Sequence, residues 1–110
     1  MRRYRVQWTD TAKADLREIV GFVRADRPLA ARRLLQRIRA AARSLYRFPS
    51  RGRFVPELGE VAPGVYRELI VAPYRITFRV EEGAAIVHVT GVFDSRRDLE
   101  SVLIERMLRS

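Results

Sequence analysis

The sequence predicts an α+β domain: a helical hairpin packed on a small antiparallel sheet, in the order β-α-α-β-β-β-α. Three observations predict it. Residues 10–47 carry two apolar stripes at helical spacing, separated only by a short link at residues 26–28. Residues 74–81 alternate strictly, with Tyr74, Ile76, Phe78 and Val80 set against Arg75, Thr77, Arg79 and Glu81. Residues 65–93 hold three strand-like segments joined by short turns.

The elements follow in order along one domain, residues 1–110. A first strand over 4–8 puts Tyr4, Val6 and Trp8 on one face and Arg5 and Gln7 on the other. Thr9 or Asp10 caps a helix on which Ala12, Leu16, Ile19 and Val23 recur at helical spacing. Pro28 suits the first turn of a second helix, with Leu34, Ile38, Ala41 or Ala42, and Leu45 as its apolar stripe. Phe48 and Pro49 end that helix near Arg47. Residues 48–64, with Gly52, Pro56, Gly59, Pro63 and Gly64, read as a loop. A three-stranded meander over 65–93 follows, reversing at Ala72 and Pro73 and again at Glu82 and Gly83. Its last strand is almost wholly apolar and reads as an interior strand. Ser95, with Asp98 three residues on, reads as the cap of a C-terminal helix over 96–108. Leu99, Val102, Leu103 and Met107 form the stripe of that helix. The helical hairpin is expected on one sheet face. The other face, with Arg75, Thr77 and Arg79, is expected to stay open unless the last helix or a partner covers it.

Composition narrows the chemistry. The 110 residues include 22 Lys plus Arg against 13 Asp plus Glu, a net charge of +9, and Lys13 is the only lysine. Arginine presents a planar fork suited to carboxylate and phosphate, so the balance points to an acidic protein or a nucleic acid. With no cysteine there is no disulfide, thiolate nucleophile or Cys-based zinc site. His88 is the only histidine, so a metal centre is not expected, nor a serine–histidine relay. No phosphate-binding glycine loop occurs, and no cofactor is expected. No apolar run is long enough to span a bilayer and no signal peptide is visible, so a cytoplasmic protein without membrane contact is expected. RNA cleavage needs only a phosphate-stabilising cation and a proton-transfer group. Arg75 or Arg97 suit the first role; His88, Tyr66, Tyr74 and Glu68 are the candidates for the second. Arg32, Arg39, Arg43 and Arg47 on the second helix suit phosphates, but no base-reading motif accompanies them, so no direct nucleic-acid specificity is expected.

Four segments, taken together, carry a resemblance: YRVQWTDTAKADLREIVGFV, RPLAARRLLQRI, LYRFPSRGR, and VYRELIVAPYRITFRVEEGAAIVHVTGVFDSRRDLE. In order and spacing they resemble the RelE/ParE superfamily of bacterial type II toxins, and most of all the ParE branch. The resemblance implies the same fold and an acidic antitoxin that wraps the toxin. It implies DNA gyrase as the target if the chain is ParE-like, in which case the protein is an inhibitor and not an enzyme. In RelE-like members, which cleave mRNA on the ribosome, Arg75 matches an arginine at the scissile phosphate and Arg97 lies near a second. Those members carry a Tyr or His near the C-terminus, and residues 102–110 here contain neither. A low-potency toxin acting mainly as co-repressor is the remaining alternative. Arg67, Arg75, Arg79, Arg96, Arg97, Leu99, Val102 and Leu103 are the expected antitoxin- or target-binding residues.

Overall fold

The computed structural model describes residues 2–109, with side chains through Leu108. Its elements are β1 (Arg5–Trp8), α1 (Asp10–Asp26), α2 (Pro28–Arg43), β2 (Arg53–Phe54), β3 (Tyr66–Val71), β4 (Tyr74–Glu81), β5 (Ile86–Asp94) and α3 (Glu100–Arg109). Single 3₁₀ turns follow α2 at Ser44–Tyr46 and precede β3 at Pro56–Leu58. The sheet order is β1-β5-β4-β3-β2.

The helical hairpin forms as the stripes require. Thr9 Oγ1 accepts a bond from the Ala12 amide, which caps α1. Ala12, Leu16 and Val20 of α1 and Ala31, Leu34, Ile38 and Ala42 of α2 are buried against Leu69, Ile76, Phe78, Val87 and Val89 of the sheet. Phe78 and Ile38 are fully excluded from solvent. Each such side chain contributes roughly 1.5–3 kcal/mol by leaving water. Tyr74 joins this core, as alternation requires.

The layers and element order match the sequence reading, and several details differ. The meander is antiparallel, but β1 runs parallel to β5, with Val6 opposite Val87 and Trp8 opposite Val89. Alternation fixes which face a residue takes and says nothing of a strand's neighbour or direction. β2 lies inside the expected loop; it is two residues long, too short for any periodicity, and pairs Arg53 with Glu68. α2 ends as an α-helix at Arg43 and tightens into the 3₁₀ turn before Arg47. α3 begins at Glu100, later than residue 96. Residues 95–97 are taken by other bonds: the Ser95 amide and hydroxyl both donate to the Pro73 carbonyl, at 2.8 and 2.6 Å. Arg96 folds back on Asp94. Asp98, not Ser95, accepts from the first helical amide, that of Glu100, at 3.3 Å.

The second sheet face is covered over much of its area. Val55, Leu58, Phe93, Leu99 and Leu103 form a smaller core there, joined by Tyr66 and Ile104. A bidentate pair between Arg106 and Asp15, at 2.8 and 3.0 Å, fastens α3 to α1. Gly91 leaves the room this needs: a Cβ there would stand 2.5 Å from the Phe93 ring and 3.1 Å from Arg106 Nη1.

The β4–β5 reversal spans residues 82–85, and Ala85, not Gly83, takes the left-handed conformation, at φ 54°. An alanine there is strained relative to glycine. Ala85→Gly is expected to raise stability by about 0.5–1 kcal/mol, read as a higher urea midpoint at unchanged slope. A lower midpoint would show that chain entropy outweighs relief of the strain.

Candidate functional site: an arginine–carboxylate network and a basic groove

Two features stand out. The first is a chain of charges on the second sheet face. β3 and β4 bring Glu68 and Arg75 onto that face, and the turn at Pro56–Leu58 lowers Glu57 onto it. Arg75 Nε donates to Glu68 Oε1 at 2.7 Å. Arg75 Nη1 and Nη2 donate to Glu57 Oε2 and Oε1 at 2.7 and 2.6 Å. Arg53 Nε closes the chain on Glu68 Oε2 at 2.7 Å. The Glu68 side chain is fully buried and that of Arg75 is 8% exposed. All three nitrogens of Arg75 are therefore spent on carboxylates of its own chain. Bonding to Glu57 and Glu68 outweighs burial and pushes its ionisation further up.

The same bonds hold Glu57 below its ordinary carboxyl value, with Arg75 as the main cause. At the end of β5, Arg96 holds Asp94 down to about 2 through its hydrogen bonds. A carboxyl depressed in the fold adds stability that is complete above its unfolded value and is lost as pH falls through the folded one. Between about pH 4.5 and pH 2 the melting temperature is therefore expected to fall, and above pH 5 these two groups add no slope. Glu57→Gln is expected to flatten the acid limb, measured by thermal scans across that range. An unchanged limb would remove the Glu57–Arg75 pair as a cause of acid sensitivity.

The second feature is an open groove of about 470 Å³ along the helical hairpin beside β1. Trp8, Leu16, Val20 and Leu35 form its apolar floor, and Lys13, Arg17, Arg24 and Arg39 its rim. No carboxylate lines it. That combination suits an acidic, amphipathic segment: apolar anchors below, cations around.

The expected site residues do not converge on one spot. Arg75 is in the network. Arg79 shares its face, half-buried, and makes no ion pair with a described residue. It stands opposite His88 on one side and Tyr66 on the other. His88 Nε2 lies 2.8 Å from Glu81 Oε2. Arg67 is at the β2 edge, its guanidinium 4.0 Å over the Phe54 ring. Arg96 holds the Asp94 turn, and Arg97 is exposed beside it. Leu99 and Leu103 are buried in the smaller core, while Val102 is 38% exposed. Sequence reasoning missed the groove rim and Glu57. Of the rim only Arg39, on the acid-free α2, had a signal; Lys13, Arg17 and Arg24 lie on α1 among Asp15, Glu18 and Asp26. Glu57, in a loop 18 positions from Arg75, had none.

The fold is one shared with small RelE- and ParE-like toxins. It matches a chain of the chromosomal ParDE toxin–antitoxin system from P. aeruginosa with a TM-score of 0.67, at 22% identity, over 84% of this chain and 96% of that one. It matches the toxin–antitoxin complex RelBE2 from Mycobacterium tuberculosis with a TM-score of 0.62, at 23% identity, over 86% of this chain and 93% of that one. The family profile described as the ParE toxin of the type II toxin–antitoxin system parDE matches residues 6–99, and the chain belongs to that family. Among curated relatives it is 38% identical to toxin RelE2 of Caulobacter vibrioides over 93 residues, which is 84% of this chain and 96% of that protein. Among the described residues, no helix is long and apolar enough to cross a membrane.

Proposed function

We propose that this toxin acts in the cytoplasm by inhibiting DNA gyrase through protein contact, and that an acidic antitoxin neutralises it. The observation that carries the non-enzymatic reading is the state of Arg75. Arg75, which matches the arginine at the scissile phosphate in RelE-like members, is buried and saturated by Glu57 and Glu68. A cation already neutralised offers little to the charge of a transition state. The C-terminal helix carries neither the Tyr nor the His expected of those members. For the antitoxin, the groove lined by Trp8, Leu16, Val20 and Leu35 with its four cations supports an amphipathic acidic segment as occupant.

The test is supercoiling of relaxed plasmid by purified gyrase, with detection of trapped cleaved DNA. Inhibition with trapped cleavage supports the proposal. A folded toxin that arrests growth yet leaves gyrase untouched overturns it. One observation favours a second reading, ribosome-dependent mRNA cleavage: the His88–Glu81 pair stands beside the unpaired Arg79. In that case Arg79→Ala abolishes mRNA cleavage while the protein stays folded.

A further inference from the structure

The solvent side of α2 is the most one-signed surface in the molecule. Its sequence, PLAARRLLQRIRAAAR, holds Arg32, Arg33, Arg37, Arg39 and Arg43 and no acidic residue. All five are exposed, and none forms an ion pair with a described residue. The carboxylates that pair with arginines among the described residues do so elsewhere, on Arg53, Arg75, Arg96 and Arg106. At its N-terminus α2 also lacks the ordinary electrostatic supports of a helix. Its first turn carries no acid, and its N-cap, Arg27, makes no capping bond. Arg33 with Arg37, and Arg39 with Arg43, are like charges four residues apart, each pair costing roughly 0.2–0.5 kcal/mol. A helix arranged against its own stability in this way gains only when an anion covers it.

The identity of the anion follows from what lies between the arginines. Gln36 and Ala40 lie between them, and one large apolar side chain, Leu29, is exposed on the same face, at its N-terminal end. A peptide partner needs a row of apolar anchors; this ridge offers Leu29 alone, whereas the neighbouring groove has Trp8, Leu16, Val20 and Leu35. A single nucleic-acid strand needs aromatic platforms, which the ridge also lacks. The sixteen residues of α2 form a rod of about 24 Å, long enough to follow several phosphates of a duplex. Nothing on it reads base edges. We infer that the exposed arginine ridge of α2 is a sequence-independent binding surface for the phosphate backbone of double-stranded DNA. The choice of DNA over duplex RNA rests on the gyrase reading; the ridge itself does not.

The test is fluorescence anisotropy of the purified toxin with a labelled random-sequence DNA duplex across a salt series, with no gyrase present. Wild-type protein is expected to bind at low salt and to weaken steeply as salt rises. The triple variant Arg33→Gln, Arg37→Gln, Arg43→Gln is expected to bind on the order of tenfold more weakly at low salt, with a log–log salt slope shallower by about 2–3. An equal charge reduction elsewhere, Arg2→Gln, Arg3→Gln, Arg5→Gln, is expected to change affinity far less. Thermal scans check that both triples fold; replacing the same three arginines of α2 by lysine should keep the slope. No binding at low salt overturns the proposal, as does an equal loss from both glutamine triples. Tighter binding to a duplex RNA of the same length also overturns it and moves the ridge to the ribosome. Because gyrase is absent, a failed supercoiling assay leaves this result standing, and the reverse holds.

Discussion

Arg75→Ala is expected to destabilise the toxin by about 3–5 kcal/mol, enough to lower its melting temperature by more than about 10 °C. The cause is what remains behind. Glu68, fully buried, keeps only Arg53, whose side chain is 60% exposed, and Glu57 loses its bidentate partner. An uncompensated buried carboxylate costs far more than an intact pair contributes. The loss should therefore be recoverable without restoring any charge. Arg75→Met combined with Glu68→Leu replaces the centre of the network by apolar groups of similar bulk and should recover most of the stability. Loss of growth arrest in Arg75→Ala is thus expected to follow the folded fraction. Circular dichroism melts of the two single variants and the double complete the cycle. A single variant that melts like wild type would show the network to be worth little, and would return Arg75 to consideration as a functional cation.

Gly52→Ala is the second large effect. Gly52 sits at φ 92°, in the left-handed region. A Cβ there would run into the backbone carbonyl of Glu68 and stand 3.2 Å from Leu69 Cδ2. Backbone cannot step aside as a side-chain tip can, so the clash must be relieved by parting β2 from β3. That movement carries Arg53 away from Glu68, because the two are a register pair. The expected loss is about 2–4 kcal/mol, combining backbone strain with damage to the ion-pair chain. Hydrogen exchange should show the Val55 amide, bonded to the Tyr66 carbonyl at 3.0 Å, opening first. A variant with native stability and an unchanged Val55 exchange rate would mean the loop relaxes without moving the strand.

The two largest effects fall on residues whose importance the sequence showed unequally. β4 was legible because its alternation is strict, and the helical hairpin because two stripes and one proline leave few alternatives. Arg75 was visible as an arginine on a polar sheet face. Its partner Glu57 was not, because contacts made by loops obey no periodicity. Gly52 looked like one loop glycine among several, and only the structure separates it from Gly59, by its positive φ and by the approach of the Glu68 carbonyl. The start of α3 was misplaced because Ser95 and Arg96 found non-local or side-chain partners that compete with helical capping. By contrast, the acid-free surface of α2 was open to inspection, though not what stands beside it: Trp8 completes the groove only because β1 lies next to β5.

That placement of β1 also governs when the molecule can come into being. The first strand made is held by the last one: the Arg5 amide bonds to the Ala85 carbonyl, and the Thr9 amide to the Val89 carbonyl. Asp15 waits longer still, for Arg106. Closing such long loops is entropically costly and rewards nothing until both ends are present. During synthesis, the helical hairpin therefore emerges before the sheet, and the part of its apolar stripe that meets Val87 and Val89 stays uncovered until β5 has left the ribosome. A chain interrupted before β5 lacks the strand that holds β1 and is expected to stay unfolded.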